Sequence, residues 1–416
     1  MSPEALLYLM VGIVSIDFVI ERILSFLNSQ NRQETIPKEL EGIYDEAKYE
    51  KSQRYQAEIE RFSILTSSFS FIILLVMLLS GGFGWLDDFL RQYAAFNPLR
   101  TLMFFGVIFI ASDIISLPFQ IYSTFVIEEK YGFNKTTVKT FILDKLKGYA
   151  ITALIGGILL SVLIFLVMFY GTGFWVFFWV IISLFMIGMN MFYTSLILPL
   201  FNKLIPLEDG ALRQAIQSYA SKVNFPLTNI FVIDGSKRSA KANAFFSGFG
   251  KKKKIVLYDT LIENHTQEEL VAVLAHEAGH YKKNHIIYSM IFSILQIGLL
   301  LYLFSLMINN SEVSWALGGQ TTALHLNMLA FGILYSPLST ITGLLQNIFS
   351  RKNEYEADEY AVRTYAKTPL QTALKKLTSD NLSNLMPHPA YVFVHYSHPT
   401  LLQRLRAMDA VDAEGN

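Results

Sequence analysis

The chain has 416 residues, of which 52% are hydrophobic and 16% are charged, and its mean hydropathy is +0.36. This composition is too apolar for an ordinary soluble domain and predicts a polytopic membrane protein. The 34 basic and 34 acidic residues balance, which argues against a nucleic-acid partner, and the absence of cysteine excludes disulfides, thiolate catalysis and cysteine-based zinc sites.

Seven segments have the length of about 20 mostly apolar residues that a membrane-spanning helix needs. The first starts without a basic region or a cleavage site, so we interpret it as a retained span rather than a signal peptide. The predicted spans are residues 5–27, 62–86, 99–122, 149–170, 173–199, 286–308 and 322–349.

Lysine and arginine are unevenly distributed among the connecting segments. The loops between spans four and five and between spans six and seven contain none, whereas the segment 200–285 includes a KKKK run at 251–254, which we interpret as a solvated loop tip. The positive-inside rule therefore places the N-terminus outside. The segments expected to face the cytoplasm are 28–61, 123–148, 200–285 and 350–416.

The segment 200–285 has the patterns of a small α+β unit. Residues 211–223 have apolar side chains at helical spacing, and NIFVID, NAFFSG and KIVLYD have the composition of short strands. Thr266 and Glu269 form the pattern of a capping box at the start of the next helix. That helix carries the motif HEAGH.

The HEAGH motif has the spacing of metal ligands. His276 and His280 are four residues apart, so on a helix they project from one face, and Glu277 can accept a proton from a metal-bound water. This is the HExxH arrangement of zinc hydrolases. The alternative is that both histidines are ordinary interfacial helix residues. The capping box and the small residues that flank the motif, which allow close packing around an ion, favour a metal site.

A catalytic zinc needs a third protein ligand and an open position. The place of the third histidine in extended metzincin motifs is an isoleucine here, and we interpret His285, one residue earlier, as a helix-end or interfacial residue. Glu354, directly after the seventh span, can complete a His-His-Glu group. Asp358 can accept a hydrogen bond from a ligand histidine, whereas Glu356 is expected on a solvated face.

Several longer elements accompany these motifs in a fixed order. They are YSTFVIEEKYGFNKTTVKTFILDKLKG, SAKANAFFSGF, KKIVLYDTLIE, HEAGH, NEYEAD and VHYSHPTLLQRLRAM. Along nearly its whole length the chain resembles the integral-membrane zinc CAAX prenyl endopeptidases, also called type I CAAX proteases. The smaller HtpX-type membrane proteases share the metal core, but they have fewer spans and lack FVIEEKYGFNKTT.

The resemblance implies a role for each matched residue. One zinc ion per chain is held by His276, His280 and Glu354, with Glu277 as general base and Asp358 as partner of a zinc histidine.

The resemblance also implies residues that bind the substrate. Asn243 lies on the edge strand that holds the substrate backbone, although by itself it also suits a turn between strands. His398 lies near the scissile carbonyl and Arg404 lines the site; the ordinary alternative for His398 is a histidine at a helix N-terminus.

The expected fold is a mostly α, polytopic membrane protein, in which seven transmembrane helices enclose an intramembrane chamber and a gluzincin-like α+β zinc metalloprotease domain lies on the cytoplasmic side. We expect a monomer in the lipid bilayer of a bacterial inner membrane or of the endoplasmic reticulum. The expected divisions are a five-span region at 1–199, protease elements at 200–285, spans six and seven at 286–349, and C-terminal protease elements at 350–416.

The expected function is a zinc endopeptidase that cuts near the C-terminus of CAAX-type prenylated or other membrane-associated peptides, by Glu-assisted attack of zinc-bound water. One alternative is a quality-control protease without prenyl specificity. The other is a non-enzymatic seven-span protein with a structural metal site, which would have no use for Glu277.

Two ionisable residues within the spans, Asp113 and His325, have no evident partner in the sequence and can line a polar cavity.

Overall fold

Helices dominate the computed structural model, which describes residues 1–32, 36, 40–247 and 253–413. Short π-helical turns occupy Ser123–Glu128 and Thr152–Gly156. The α-helices of the described residues are α1 (Pro3–Gln30), α2 (Glu46–Leu79), α3 (Gly82–Arg91), α4 (Asn97–Tyr122), α5 (Val138–Ile151), α6 (Gly157–Tyr170), α7 (Phe174–Leu196), α8 (Leu198–Phe201), α9 (Ala211–Lys222), α10 (Asp259–Asn264), α11 (Gln267–Lys282), α12 (His285–Ser305), α13 (Ser311–Ala316), α14 (Leu324–Thr364), α15 (Lys367–Asp380), α16 (Pro389–His395) and α17 (Leu401–Ala413).

Six helical stretches of the described chain are long and apolar enough to cross a membrane. Each overlaps a predicted span, and the fourth stretch contains both predicted spans four and five. The predicted span 62–86 runs past the end of its helix at Leu79 into α3. The stretches are Pro3–Gln30, Glu46–Leu79, Asn97–Glu128, Val138–Phe201, His285–Ser305 and Leu324–Thr364.

The fourth stretch folds back on itself. The Lys147 side chain donates a hydrogen bond to the Leu200 carbonyl at 2.7 Å, although the two residues are 53 positions apart. A straight helix would separate them by roughly 80 Å. The reversal occurs at a 3₁₀ turn, Gly171–Gly173, where Gly171 has a φ of +54°, in the region that glycine adopts without steric cost. Two antiparallel helical legs therefore occupy this stretch.

A small sheet precedes the motif helix. Its strands are β1 (Leu204–Pro206), β2 (Leu227–Ile233), β3 (Ala244–Ser247) and β4 (Lys253–Tyr258), in the order β1-β2-β4-β3. The pair β2 and β4 is parallel, and the other two pairs are antiparallel. β3 thus lies at one edge of the sheet.

The sequence predicted three of these strands and missed β1, which has only 3 residues. The interpretation of the KKKK run as a loop tip was wrong for its second half. Lys253 and Lys254 begin β4, and Lys253 is buried. Lys251 and Lys252 lie outside the described residues.

The motif helix α11 crosses the centre of the core beside the sheet. Its N-terminus has the predicted capping box, since the Thr266 hydroxyl accepts from the Glu269 amide and the Glu269 carboxylate accepts from the Thr266 amide. Its buried residues Leu270, Ala275 and Ala278 belong to one hydrophobic cluster with residues of α14, α15 and α17. The two parts of the chain that carry the predicted site therefore share one core.

Asp113 and His325, for which the sequence showed no partner, have partners on neighbouring helices. Lys145 donates to both carboxylate oxygens of Asp113, at 2.6 and 2.8 Å. The imidazole Nε2 of His325 lies 2.9 Å from an Asp87 carboxylate oxygen, in a buried cluster. Interhelical pairing offsets the cost of placing these groups inside the helical bundle.

The chain turns sharply between α11 and α12. Asn284, directly before α12, has φ +59° and ψ +26°, in the left-handed region. Asparagine adopts this conformation more readily than other residues with a Cβ, apart from aspartate. The turn ends the motif helix and starts the following membrane helix in a new direction.

We expect this turn to depend on the residue at position 284. Asn284→Val should lower the free energy of unfolding by roughly 1–2 kcal/mol, because a β-branched residue resists positive φ, whereas Asn284→Gly should be close to neutral. Thermal unfolding in detergent measures the difference. Asn264→Val, at the exposed last residue of α10, is the matched control. Equal unfolding temperatures for both valine variants would contradict the expectation.

Candidate metal centre

Three potential metal ligands converge where α11 packs against α14. One ligand atom from each of His276, His280 and Glu354 lies within 4.8 Å of the others. The two imidazole Nε2 atoms are 3.2 Å apart, and the carboxylate oxygens lie 3.4 Å from Nε2 of His276 and 3.2 Å from Nε2 of His280. Tetrahedral ligands about 2.05 Å from an ion are roughly 3.3 Å from one another. The two imidazole nitrogens and the carboxylate group therefore fit around a single metal ion.

The electrostatics of this group also favour a cation. Burial alone would lower the pKa of His276, but its contacts with the Asp358 and Glu354 carboxylates outweigh burial and raise the pKa. The Oε2 atom of Glu354 is buried without a hydrogen-bond partner. An unsatisfied buried carboxylate oxygen is unfavourable unless a cation or a donor meets it. A metal ion bound by the group would contact this oxygen and offset the cost of burying it.

Asp358 orients the first histidine. Its carboxylate lies 2.8 Å from Nδ1 of His276 and, being ionised, can only accept a hydrogen bond. Nδ1 of His276 therefore carries a proton and is bonded to Asp358, so Nε2, which faces the other ligands, is the nitrogen that can bind a metal. Arg404 donates two hydrogen bonds to the same carboxylate, at 2.8 and 2.6 Å, and its guanidinium lies 3.6 Å from Glu354. Arg404 thus contacts both the ligand carboxylate of Glu354 and the Asp358 carboxylate that binds His276.

A cavity of about 240 Å³ opens on one side of the group. Glu277 lies in its wall, and burial raises the pKa of this carboxyl, which makes the carboxylate a stronger base. The residues that line the cavity are Asn243, Ala244, Leu261, Val273, His276, Glu277, Glu354, Leu370, Leu374, Leu377, His398 and Arg404.

The two remaining predicted residues lie at the open side of this cavity. His398, in the loop between α16 and α17, has a side chain that is 60% exposed, and its Nε2 lies 3.3 Å from a Glu354 oxygen. Asn243 lies directly before the edge strand β3, and its side-chain oxygen accepts a hydrogen bond from the Ala244 amide at 2.8 Å. The structure thus brings all eight predicted site residues together, and their chemical roles remain predictions.

A second cavity, of about 380 Å³, lies on the other side of His280. Its walls come from α7, α11, α12 and α14, so it adjoins the membrane helices. The lining residues are Met186, Asn190, His280, His285, Ile286, Ser289, Met290, Ser293, Ser350 and Asn353. The metal group therefore separates a cavity beside the sheet from one among the apolar helices.

Gly279 permits the close approach of α11 and α14. A Cβ atom at this position would lie 2.9 Å from the Ala357 Cα, 3.1 Å from the Ala357 carbonyl oxygen and 3.1 Å from the Tyr360 Cβ. Two of these three atoms belong to the backbone, which cannot move aside cheaply. The glycine of HEAGH thus sets the separation between the two histidines and Glu354.

Two residues near the group make contacts that the sequence did not predict. His285 lies at a helix end, as expected, but it is buried, with its Nδ1 3.0 Å from Nδ1 of His280. Glu356 is partly exposed, in line with the expected solvated face, and lies 3.2 Å from Nε2 of His285. Continuous helical spacing could not reveal the contact, because the turn at Asn284 interrupts the helix between the two histidines.

Comparison with known proteins assigns most of the chain. Residues 25–203 match the family model of the CAAX prenyl protease N-terminal region with five membrane helices, and residues 206–412 match peptidase family M48. The chain belongs to the CAAX prenyl protease family. As a member of this family it is a multi-pass membrane metalloprotease that acts on peptides.

Individual relatives extend over most of the chain. The CAAX prenyl protease 1 homolog of Arabidopsis thaliana is 38% identical, over 91% of each chain. CAAX prenyl protease 1 of Saccharomyces cerevisiae is 35% identical, over 95% of this chain and 93% of the yeast protein. The crystal structure of S. mikatae Ste24p superposes with a TM-score of 0.92 at 34% identity, over 97% of this chain and 99% of that one.

We expect Gly279→Ala to separate α11 from α14 and to weaken metal binding. Overpacking of this kind costs about 1–3 kcal/mol, and here the displacement acts directly on the distance between histidines and glutamate. Metal content per purified chain is the measurement. Gly332→Ala is the matched control, because it lies in α14 where an added Cβ meets nothing within 4 Å. Normal metal content in the Gly279 variant would refute the spacing role.

Proposed function

We propose that this chain is a zinc endopeptidase that cleaves peptide bonds near the C-terminus of CAAX-type prenylated peptides at the membrane. The observation that carries the proposal is the His-His-Glu group, whose ligand atoms lie within 4.8 Å of one another beside Glu277. The substrate class follows from the names of the relatives in Arabidopsis and yeast. One zinc ion per chain would be held by His276, His280 and Glu354.

The donor set suits a catalytic zinc ion. Two imidazole nitrogens and one carboxylate oxygen are the donor set of many zinc hydrolases. Held by these residues, a zinc ion would supply Lewis acidity toward water and toward the scissile carbonyl. The remaining steps depend on side chains of the protein.

Glu277 and His398 are placed to handle the proton and the developing charge. The Glu277 carboxylate accepts the proton of the attacking water and passes it to the leaving amine. His398, whose exposed side chain lies at the open side of the cavity, donates a hydrogen bond to the carbonyl oxygen as this oxygen gains negative charge. Asp358 holds the imidazole of His276 in position, and Arg404 binds Asp358 and contacts the carboxylate of Glu354.

The peptide adds to the edge of the sheet. β3 pairs with β4 on one side and forms an edge in the described sheet order, which leaves its outer backbone groups available for an extended peptide. Asn243 precedes this strand and lines the same cavity as Glu277. Main-chain hydrogen bonds in this mode carry little sequence information, so selectivity must come from side-chain pockets and from the lipid.

The chain crosses the membrane seven times, as a monomer, with the catalytic cavity facing the cytoplasm. The fold-back within Val138–Phe201 supports counting that stretch as two spans. The concentration of lysine and arginine in the segments that carry the site supports its orientation. The seven helices enclose the intramembrane chamber that the family resemblance implies, and the cavity lined by α7, α12 and α14 would be part of it.

We expect Glu277→Gln to retain about one zinc per chain while kcat falls by about 10²- to 10⁴-fold, because only the proton acceptor is lost. Glu354→Ala should lose the metal together with activity. Glu359→Ala is the control, since this partly exposed residue of α14 pairs with Arg363 and not with the metal group. The measurements are metal content and cleavage of matched farnesylated and unprenylated peptides by detergent-purified protein.

Three results would redirect the proposal. Wild-type rates in Glu277→Gln would indicate a structural metal site in a membrane protein that uses another mechanism. Equal cleavage of the two peptides would indicate a quality-control protease without prenyl specificity. Full metal content in Glu354→Ala would remove that glutamate from the ligand set.

A further inference from the structure

His285 is buried against a metal ligand without belonging to the ligand group. It is 5% exposed, and its Nδ1 lies 3.0 Å from Nδ1 of His280. Its other ring nitrogen, Nε2, lies 3.2 Å from a Glu356 carboxylate oxygen. The second oxygen of Glu356 lies 3.7 Å from the Lys352 ammonium. A chain of contacts thus runs from the back of His280 to a partly exposed carboxylate.

The turn at Asn284 creates this contact. On an uninterrupted helix, a residue five positions after His280 would point about 140° away from it. Because Asn284 is left-handed, α12 starts in a new direction and its first residue, His285, lies over the imidazole of His280. The proximity of His285 to the metal group is therefore a product of the turn.

The hydrogen-bond pattern determines the tautomers along the chain. Nε2 of His280 faces the other ligand atoms, at 3.2 Å from both Nε2 of His276 and a Glu354 oxygen. A metal-binding Nε2 has no proton, so Nδ1 of His280 carries it and donates to Nδ1 of His285. Nδ1 of His285 must then be the acceptor, which leaves the proton of its neutral ring on Nε2. That proton is directed at the Glu356 carboxylate.

We propose that His285 and Glu356 are positioning residues for the metal ligand His280. They hold its ring in the orientation and tautomer that direct Nε2 at the metal, as Asp358 does for His276. The inference rests on the metal site of the proposed function and extends it to two residues outside the ligand set. Outer hydrogen bonds of this kind typically change metal affinity or activity by about 10- to 100-fold.

Substitutions at position 285 separate this role from simple packing. In His285→Asn the side-chain oxygen can occupy the place of Nδ1 and accept from His280, although it cannot reach Glu356. In His285→Leu the volume remains but the acceptor is lost. A packing role predicts that leucine replaces histidine well, whereas a positioning role predicts that asparagine does.

The experiment measures the rate at which the full-length, detergent-purified protein releases zinc to an excess of a chelator that changes colour on binding zinc. The unfolding temperature is recorded in parallel. We expect His285→Leu to release zinc about 10- to 100-fold faster than wild type. His285→Asn should release zinc at a rate close to that of wild type, and the rate of Glu356→Ala should lie between those of the two His285 variants. Glu359→Ala, the same change on a neighbouring face of α14, should match wild type.

The inference is overturned if His285→Leu releases zinc at the wild-type rate, or if His285→Asn is no better than His285→Leu. If His285→Leu does not fold, Glu356→Ala carries the test, since this side chain is 33% exposed and its removal leaves the core intact; an unchanged release rate there would contradict the inference. Zinc release is independent of peptide cleavage. Wild-type protein that binds zinc but cuts no peptide would therefore refute the proposed function and leave this test valid.

Discussion

The close contact between α11 and α14 at Gly279 is the constraint on which the site depends. The motif helix supplies two histidines, and Glu354 of α14, more than 70 positions later, supplies the carboxylate. Only a residue without a Cβ lets the two backbones approach until these atoms are 3.2 to 3.4 Å apart. Packing between helices, rather than the local spacing of HEAGH, therefore determines whether the motif can bind a metal.

The same contact explains why a metal motif lies at the mouth of membrane helices. α11 is followed, after one turn, by the apolar helix α12, and α14 continues from apolar residues at Leu324 to the ligand Glu354 without a break. Glu354 therefore extends from a long helix with an apolar segment, and α11, which carries the two histidines, is joined to the apolar helix α12 by one turn. Sites built on rigid elements hold their geometry better than sites on loops. Residue 349, the expected end of the seventh span, lies within the continuous helix α14.

Local patterns predicted the parts of the site that local geometry determines. The capping box, the helical face shared by His276 and His280, and the presence of three strands follow from local patterns alone. Glu354 was predicted because it follows a span on the same side as the motif. His285 and Glu356 were not, because their contact needs a left-handed Asn284, whose conformation no periodicity reveals. The partner of Asp113 lies on a different helix, which spacing along one helix cannot show.

The residues that support the two histidines differ in their exposure to solvent. The partner of His276 is Asp358, with a side chain that is 1% exposed, held by two hydrogen bonds from Arg404. The chain behind His280 ends at Glu356, which is 33% exposed and close to a solvated lysine. Water and salt screen the second arrangement far more than the first. His280 also lines the cavity among the membrane helices, whereas His276 and its partner Asp358 are both buried, so the support of His280 is the more accessible of the two.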